Sequence, residues 1–384
     1  MKTSIRSWTL AAVAAALLAA CGGGGGDTTP RQSVSAVKVF GDSLADVGTF
    51  GIKFTVQGSA TRIYPERIAL AYGLSAGCPF FKFTGVTFVA NSVAGCTNFA
   101  IGGGVINGAS SGLTAADPRI VGVQIATATA AGNFAAGDLL VIDGGGNDAA
   151  ALVGAYLNAA KDGGASYVSL IGTLLTPAQV GAAVAGGQAG LATAGGQYMT
   201  ALAGNFYTSI KGGALDKGAQ RLLLINMPPV TDTPRFQMVL DSIAAASGGG
   251  ATGSAARAQS ETLFRGWVSA FNTELARRVA GDARVAVFDA AKSIDDVVAT
   301  PSQYAVTNAK TPACPITGLG SDGLPTYDFA TCTDTALSAK PPTGVTGANW
   351  WQSYYFSDGF HPSPYGHQLA YQGIAKVLAE AGWL

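Results

Sequence analysis

Four short apolar runs constrain this chain more than any other feature: Val34–Phe40 (VSAVKVF), Asp138–Ile142 (DLLVI), Arg221–Met227 (RLLLINM) and Arg284–Phe288 (RVAVF). The first stops at Gly41-Asp42-Ser43, the second at Asp143-Gly144-Gly145-Gly146 and the third at Pro228-Pro229. Runs this short, this apolar and bounded by turn residues read as buried strands. Between them lie stretches with helical spacing: 63–73, Ala149–Lys161, about 177–211, and Leu263–Val279, where Phe264, Trp267, Val268, Phe271, Leu275 and Val279 make one stripe. Strands alternating with helices predict an α/β fold, a three-layer α/β/α sandwich around a mainly parallel sheet. Thr87–Ala90 and Asn98–Ile101 read as further short strands, and Gln368–Trp383 as a closing amphipathic helix.

Charge excludes one class of partner. The 384 residues carry 23 Lys+Arg against 23 Asp+Glu, which offers a nucleic-acid backbone nothing. With 48% hydrophobic residues the chain is globular rather than disordered. Two His leave little for a multi-His metal site, and the expectation is no metal and no organic cofactor.

At the N-terminus, Lys2 and Arg6 precede the apolar run Trp8–Ala20, which is too short to span a bilayer and reads as an export leader. Leu18-Ala19-Ala20-Cys21 resembles a bacterial lipobox, which implies cleavage before Cys21 and acylation of that residue. An ordinary secretory signal that happens to end in Cys is the plainer alternative. Gly22, rather than Asp, follows the Cys, and the resemblance then leans toward the outer membrane. The expected organisation is a leader at 1–20, a Gly-rich tether at 21–34 and a single domain at 35–384. The product is exported, either as an outer-membrane lipoprotein facing the periplasm or cell surface, held by its lipid anchor, or as a secreted protein. Export permits disulfides. Without Cys21 four Cys remain, with three connectivities. Cys78–Cys96 and Cys314–Cys332 close the smallest loops and are preferred over free buried thiols. The second pair would staple a polar, Thr- and Pro-rich excursion at about 300–350.

Ser43 follows a buried strand, and ligands of α/β sheets bind beyond the carboxyl ends of their strands. A helix beginning after it would add N–H groups aimed at an anion; a Ser that merely caps such a helix is the ordinary alternative. A serine hydroxyl needs a base, and only two His exist. His361 has Asp358 three residues before it, a spacing that lets the carboxylate hold one ring nitrogen while the other faces Ser43. His367, at the entry of the last helix with no carboxylate beside it, reads as structural. Asn147, after three glycines, could donate to a developing oxyanion, and Gly102-Gly103-Gly104 could offer a backbone N–H. Turn chemistry alone would also account for both.

Together these stretches resemble the GDSL lipases of the SGNH hydrolase superfamily. Phe40–Gly48 (FGDSLADVG) is similar to that family's nucleophile block and Asn98–Gly104 (NFAIGGG) to its second. Gly145-Gly146-Asn147-Asp148 is similar to the third block and Asp358–Pro362 (DGFHP) to the last, all in the family's order. The resemblance implies an SGNH/flavodoxin-like fold and a serine ester hydrolase of carboxylesterase or lipase type. Its catalytic residues would be Ser43, His361 and Asp358, and its oxyanion donors Ser43, Gly103 (with Gly102 as rival) and Asn147. The substrate would be an ester or lipid.

Other readings compete. Gly108-Ala109-Ser110-Ser111-Gly112 fits the G-x-S-x-G pattern but lacks a buried strand before it. Gly144-x-Gly146-x-x-Ala149 fits a dinucleotide fingerprint, but Asp148 would repel a pyrophosphate. A carbohydrate O-acetylesterase using the same machinery and a non-catalytic surface-tethered binding module are the functional alternatives. Loop aromatics Phe80, Phe81, Trp350, Trp351, Tyr354, Tyr355 and Phe356 favour an apolar acyl group unless they are core, and Trp350-Trp351 is the expected acyl-pocket wall.

Overall fold

The four apolar runs form one sheet because each places aliphatic side chains on both of its faces. In the computed structural model, which describes residues 33–384, the elements begin with β1 (Ala36–Phe40), α1 (Tyr64–Ala71), β2 (Phe81–Phe83), β3 (Phe88–Ala90) and α2 (Val121–Thr129). There follow β4 (Asp138–Ile142), α3 (Gly146–Asp162), α4 (Ala165–Ile171), α5 (Pro177–Ala185), α6 (Gly187–Gly213) and β5 (Leu222–Ile225). The remainder is α7 (Pro234–Ala246), α8 (Gly250–Val279), β6 (Val285–Phe288), α9 (Ala290–Ala299), β7 (Gly318–Leu319), β8 (Pro325–Thr326), α10 (Asp334–Ala339) and α11 (Pro364–Glu380). The expected leader, Cys21 and nearly all of the tether lie outside the described residues.

The sheet runs β1-β4-β5-β6, all parallel, with Val39 opposite Val141 and Leu223 opposite Ala286. On one face Val37, Val39, Leu139, Val141, Leu223 and Ile225 pack against α1 and α11 through Ile68, Ile374 and Leu378. On the other, Phe40, Leu140, Ile142, Leu222 and Leu224 pack against α2, α3, α6 and α8 through Ile125, Leu152, Phe206 and Phe271. Both faces are covered, as a parallel sheet requires, and Val34–Leu384 forms one compact unit. The fold is the three-layer α/β/α sandwich expected from the alternation.

Local departures have local causes. Asn98–Ile101 is not a regular strand: it runs beside β1 as a single bridge at Asn98, with Phe99 N–H donating to Val39 O at 2.7 Å. Strand β3 pairs only with β2, in an antiparallel hairpin off the main sheet. The Ala-rich stretch from 177 splits into α5 and α6 at Gly186-Gly187, where Gly187 takes φ +57°. Helix α11 starts four residues before the expected point because Ser363 Oγ accepts the N–H groups of Tyr365 and Gly366, and Pro364 fits the first turn. Cys78–Cys96 and Cys314–Cys332 are bonded, each across 18 residues. A loop of that length is worth about 3 kcal/mol of unfolded-state entropy.

Candidate active site

Ser43 is placed by the turn that ends β1, and that turn needs a glycine. Gly41 has φ +155°, and a Cβ there would fall 1.6 Å from Asp143 Oδ1 at the end of β4. Gln124 of α2 holds Gly41 from both sides, accepting its N–H at 2.8 Å and donating to its carbonyl at 2.9 Å. Asp42 N–H donates to Asp143 Oδ1 at 3.1 Å, and Asp42 Oδ1 accepts Leu44 N–H at 2.9 Å. No helix follows Ser43. The chain makes a tight turn instead, with Ala45 N–H donating to Asp42 O at 3.1 Å, so any helix N-terminus is absent from the nucleophile loop.

His361 reaches this turn from the loop before α11. Asp358 Oδ1 accepts the backbone N–H groups of Phe360 (2.8 Å) and His361 (2.7 Å), which locks the loop. Both Asp358 oxygens lie 2.9 Å from His361 Nδ1, and His361 Nε2 lies 2.8 Å from Ser43 Oγ. The structure therefore brings Ser43, His361 and Asp358 into one line of contacts. Phe54 and Phe329 flank the imidazole, with centroids 5.3 and 5.5 Å away. Phe329 comes from the 300–350 excursion, which thus touches the site.

Burial and charge oppose each other here. Burial alone would lower the His361 pKa, but the charge of Asp358, its hydrogen bond and the charge of Asp42 outweigh it, and the net shift is upward. Burial would raise Asp358, yet His361 and the two backbone N–H donors hold it below the usual range. Beneath Ser43, burial raises Asp42, and burial with the neighbouring Asp42 raises Asp143 well above the carboxylate range. Tyr64 OH donates to Asp143 Oδ2 at 2.5 Å.

Gly103 and the amide of Asn147 border the same space. Asn147 lies in the first turn of α3, and its Nδ2 donates to Gly104 O at 2.8 Å, leaving one amide hydrogen over. Gly102 N–H is taken by Asp46 Oδ2 at 2.9 Å. Gly103 sits at φ +77°, and among the described residues no acceptor takes its N–H or that of Ser43. Asp46 was not singled out in the sequence, yet its other oxygen accepts the N–H groups of Gly48 and Thr49 at 2.8 and 2.7 Å, tying the nucleophile loop to the glycine loop. Its signal is a carboxylate three residues after Ser43, set among Leu44, Ala45, Val47 and Gly48. Asp148 is likewise inward: it accepts the N–H groups of Ile106 and Asn107, both at 2.9 Å, and burial raises its pKa to about 6.

A cavity of about 210 Å³ opens at Ser43, Gly103, Asn147 and His361 and is walled mainly by apolar side chains such as Phe54, Val230, Ile294 and Phe360. Two larger clefts, of about 740 and 700 Å³, border the 300–350 excursion and hold neither a histidine nor Ser43. Of the loop aromatics named from sequence, only Phe356 lines the cavity. Trp350 and Trp351 do not: their indoles turn to α10, donating to Leu337 O at 2.7 Å and Ser338 Oγ at 3.1 Å. Phe81, Tyr354 and Tyr355 are buried in apolar clusters, and Phe80 packs on one. Ser110 lies in a short 3-10 turn and donates to Asn107 O at 2.8 Å. His367 is buried against Tyr64, with centroids 6.0 Å apart.

Comparison with known families decides the matter. The model of the GDSL-like lipase/acylhydrolase family matches residues 37–374. The chain belongs to that family. Membership makes it a serine hydrolase of the esterase/lipase type, acting on esters. A comparison with curated proteins finds no match.

Proposed function

We propose that the chain hydrolyses carboxylic esters with an apolar acyl group, through a covalent acyl-enzyme on Ser43. The observation that carries this reading is the unbroken series of contacts from Asp358 through His361 to Ser43 Oγ, at 2.9 and 2.8 Å. Neutral His361 takes the Ser43 proton on Nε2 as Oγ attacks the ester carbonyl. The imidazolium that forms is stabilised by Asp358. The oxyanion is received by the N–H groups of Ser43 and Gly103 and by the second amide hydrogen of Asn147; that no acceptor among the described residues takes the two backbone N–H groups supports this reading. Gly102 is excluded from that role because its N–H serves Asp46. His361 then gives its proton to the leaving alcohol, and water cleaves the acyl-enzyme by the reverse route. The apolar cavity supports an alkyl acyl chain over the acetyl group of a sugar ester.

Ser43→Ala is expected to abolish hydrolysis of nitrophenyl esters by folded protein, while Ser110→Ala retains it. Equal activity of Ser43→Ala and the parent would remove the proposal. Profiling the parent across acyl lengths and acetylated sugars, with Ser43→Ala as blank, tests the acyl preference: the rate should rise from acetyl toward longer alkyl esters.

A further inference from the structure

The β2–β3 hairpin is stapled at its base by Cys78–Cys96 and is tied to the nucleophile loop by Phe83 N–H donating to Thr49 O at 2.9 Å. It supplies no group to the line of contacts from Asp358 to Ser43. Yet it holds the densest run of exposed apolar side chains in the described residues: Val86 is 91% exposed, Val93 56%, Val89 43% and Phe83 37%. Residues 81–95 contain one charge, Lys82, and no carboxylate. The tip also pairs its own polar groups. Thr84 N–H and Oγ1 both donate to Thr87 O, at 2.9 and 3.0 Å, and Thr84 Oγ1 accepts Thr87 N–H at 3.1 Å. Backbone groups already paired within a turn lose little on leaving water.

A series of ring contacts links this patch to Phe54, which walls the cavity at Ser43. Ring centroids step from Phe83 to Phe50 (5.3 Å), from Phe50 to Phe54 (6.1 Å) and from Phe54 to His361 (5.3 Å). We propose that the hairpin is the surface by which this enzyme docks on aggregated ester substrate, entering a lipid–water interface so that acyl chains pass along the aromatic series to Ser43. The proposal rests on the ester-hydrolase reading of the Ser43 site. A protein interface would be rimmed by charged groups, of which residues 81–95 carry only Lys82. A lipid surface asks for apolar depth and a cation that can reach the headgroups, which Lys82 supplies.

The test uses the chain from position 21 onward, without the apolar leader and carrying Cys21→Ser, so that neither leader nor acyl anchor contributes. A tryptophan reporter, Val86→Trp, is expected to shift its emission to the blue when phosphatidylcholine vesicles are added. Ser43→Ala should leave that shift intact, which separates docking from catalysis. The double variant Val86→Asp, Val93→Asp should lower vesicle partitioning and turnover of a micellar long-chain ester by roughly tenfold or more. Its hydrolysis of soluble nitrophenyl acetate should match the parent's, which also reports that it is folded. The proposal is overturned by a reporter that ignores vesicles or by equal losses on soluble and micellar ester. A blue shift that follows protein concentration without vesicles would overturn it too, since a second copy would then cover the hairpin.

Discussion

Asn147 has two amide hydrogens, and Gly104 O holds one of them. That bond fixes the orientation of the amide, as its proposed role in receiving an oxyanion asks. Asn147→Ala is expected to lower kcat by on the order of a hundredfold with KM little changed; a variant with unaltered kcat would place the donor elsewhere. The residues of the line from Asp358 to Ser43 were legible because each stands in a short block with its neighbours: Asp358 and His361 three apart, Ser43 at the end of a strand. What surrounds them was less so. Gln124 reaches Gly41, and Phe54 and Phe329 reach His361, from distant segments, and no local spacing announces them. Trp350-Trp351 shows the reverse error. Closeness to Asp358 in the chain says nothing about which way an indole points, and the N–H of each found its acceptor in α10.

At the scale of elements, the decisive one is the turn from β1 into the nucleophile loop. Gly41→Ala combines left-handed backbone with a Cβ 1.6 Å from Asp143 Oδ1. It is expected to cost about 3 kcal/mol or more in denaturant unfolding and to lose activity with it. Gly112→Ala is the control. Gly112 has φ +66° but nothing within 4 Å of an added Cβ, so the loss should be only about 1–2 kcal/mol. Equal losses would mean that backbone strain, not the approach of Asp143, dictates glycine at position 41. Strands β1, β4, β5 and β6 were readable because a parallel sheet covered on both sides leaves an unbroken apolar run. The Asn98–Ile101 segment misled because it satisfies β1 from the edge without acquiring a regular partner of its own. The division between α5 and α6 depends on one left-handed glycine, Gly187, among several that stay helical.

For the molecule as a whole, His367 sets a liability in acid. Burial, with the nearby cations His361, Arg67 and Lys53, lowers its pKa to about 3, and neither ring nitrogen has a partner among the described residues. The folded protein keeps the ring neutral, whereas the unfolded chain protonates it below its ordinary value of 6.5. Between pH 6.5 and about 3 the unfolded state therefore binds the extra proton, and stability falls as pH falls. The buried carboxylate Asp148 works in the opposite direction, since its folded pKa is raised to about 6. The difference between His367→Phe and the parent isolates the histidine. The variant should match the parent above pH 7 and exceed its unfolding free energy by a few kcal/mol near pH 4, measured by urea denaturation. Parallel pH curves would assign the acid sensitivity to other groups. Ser43 and His361 are 318 residues apart in the chain, and a ribosome adding about 5–20 residues per second needs roughly a quarter of a minute to a minute to travel between them. On the proposed mechanism the growing polypeptide holds its alcohol through that interval with no imidazole to activate it, and a product stopped short of position 361 is expected to hydrolyse no ester.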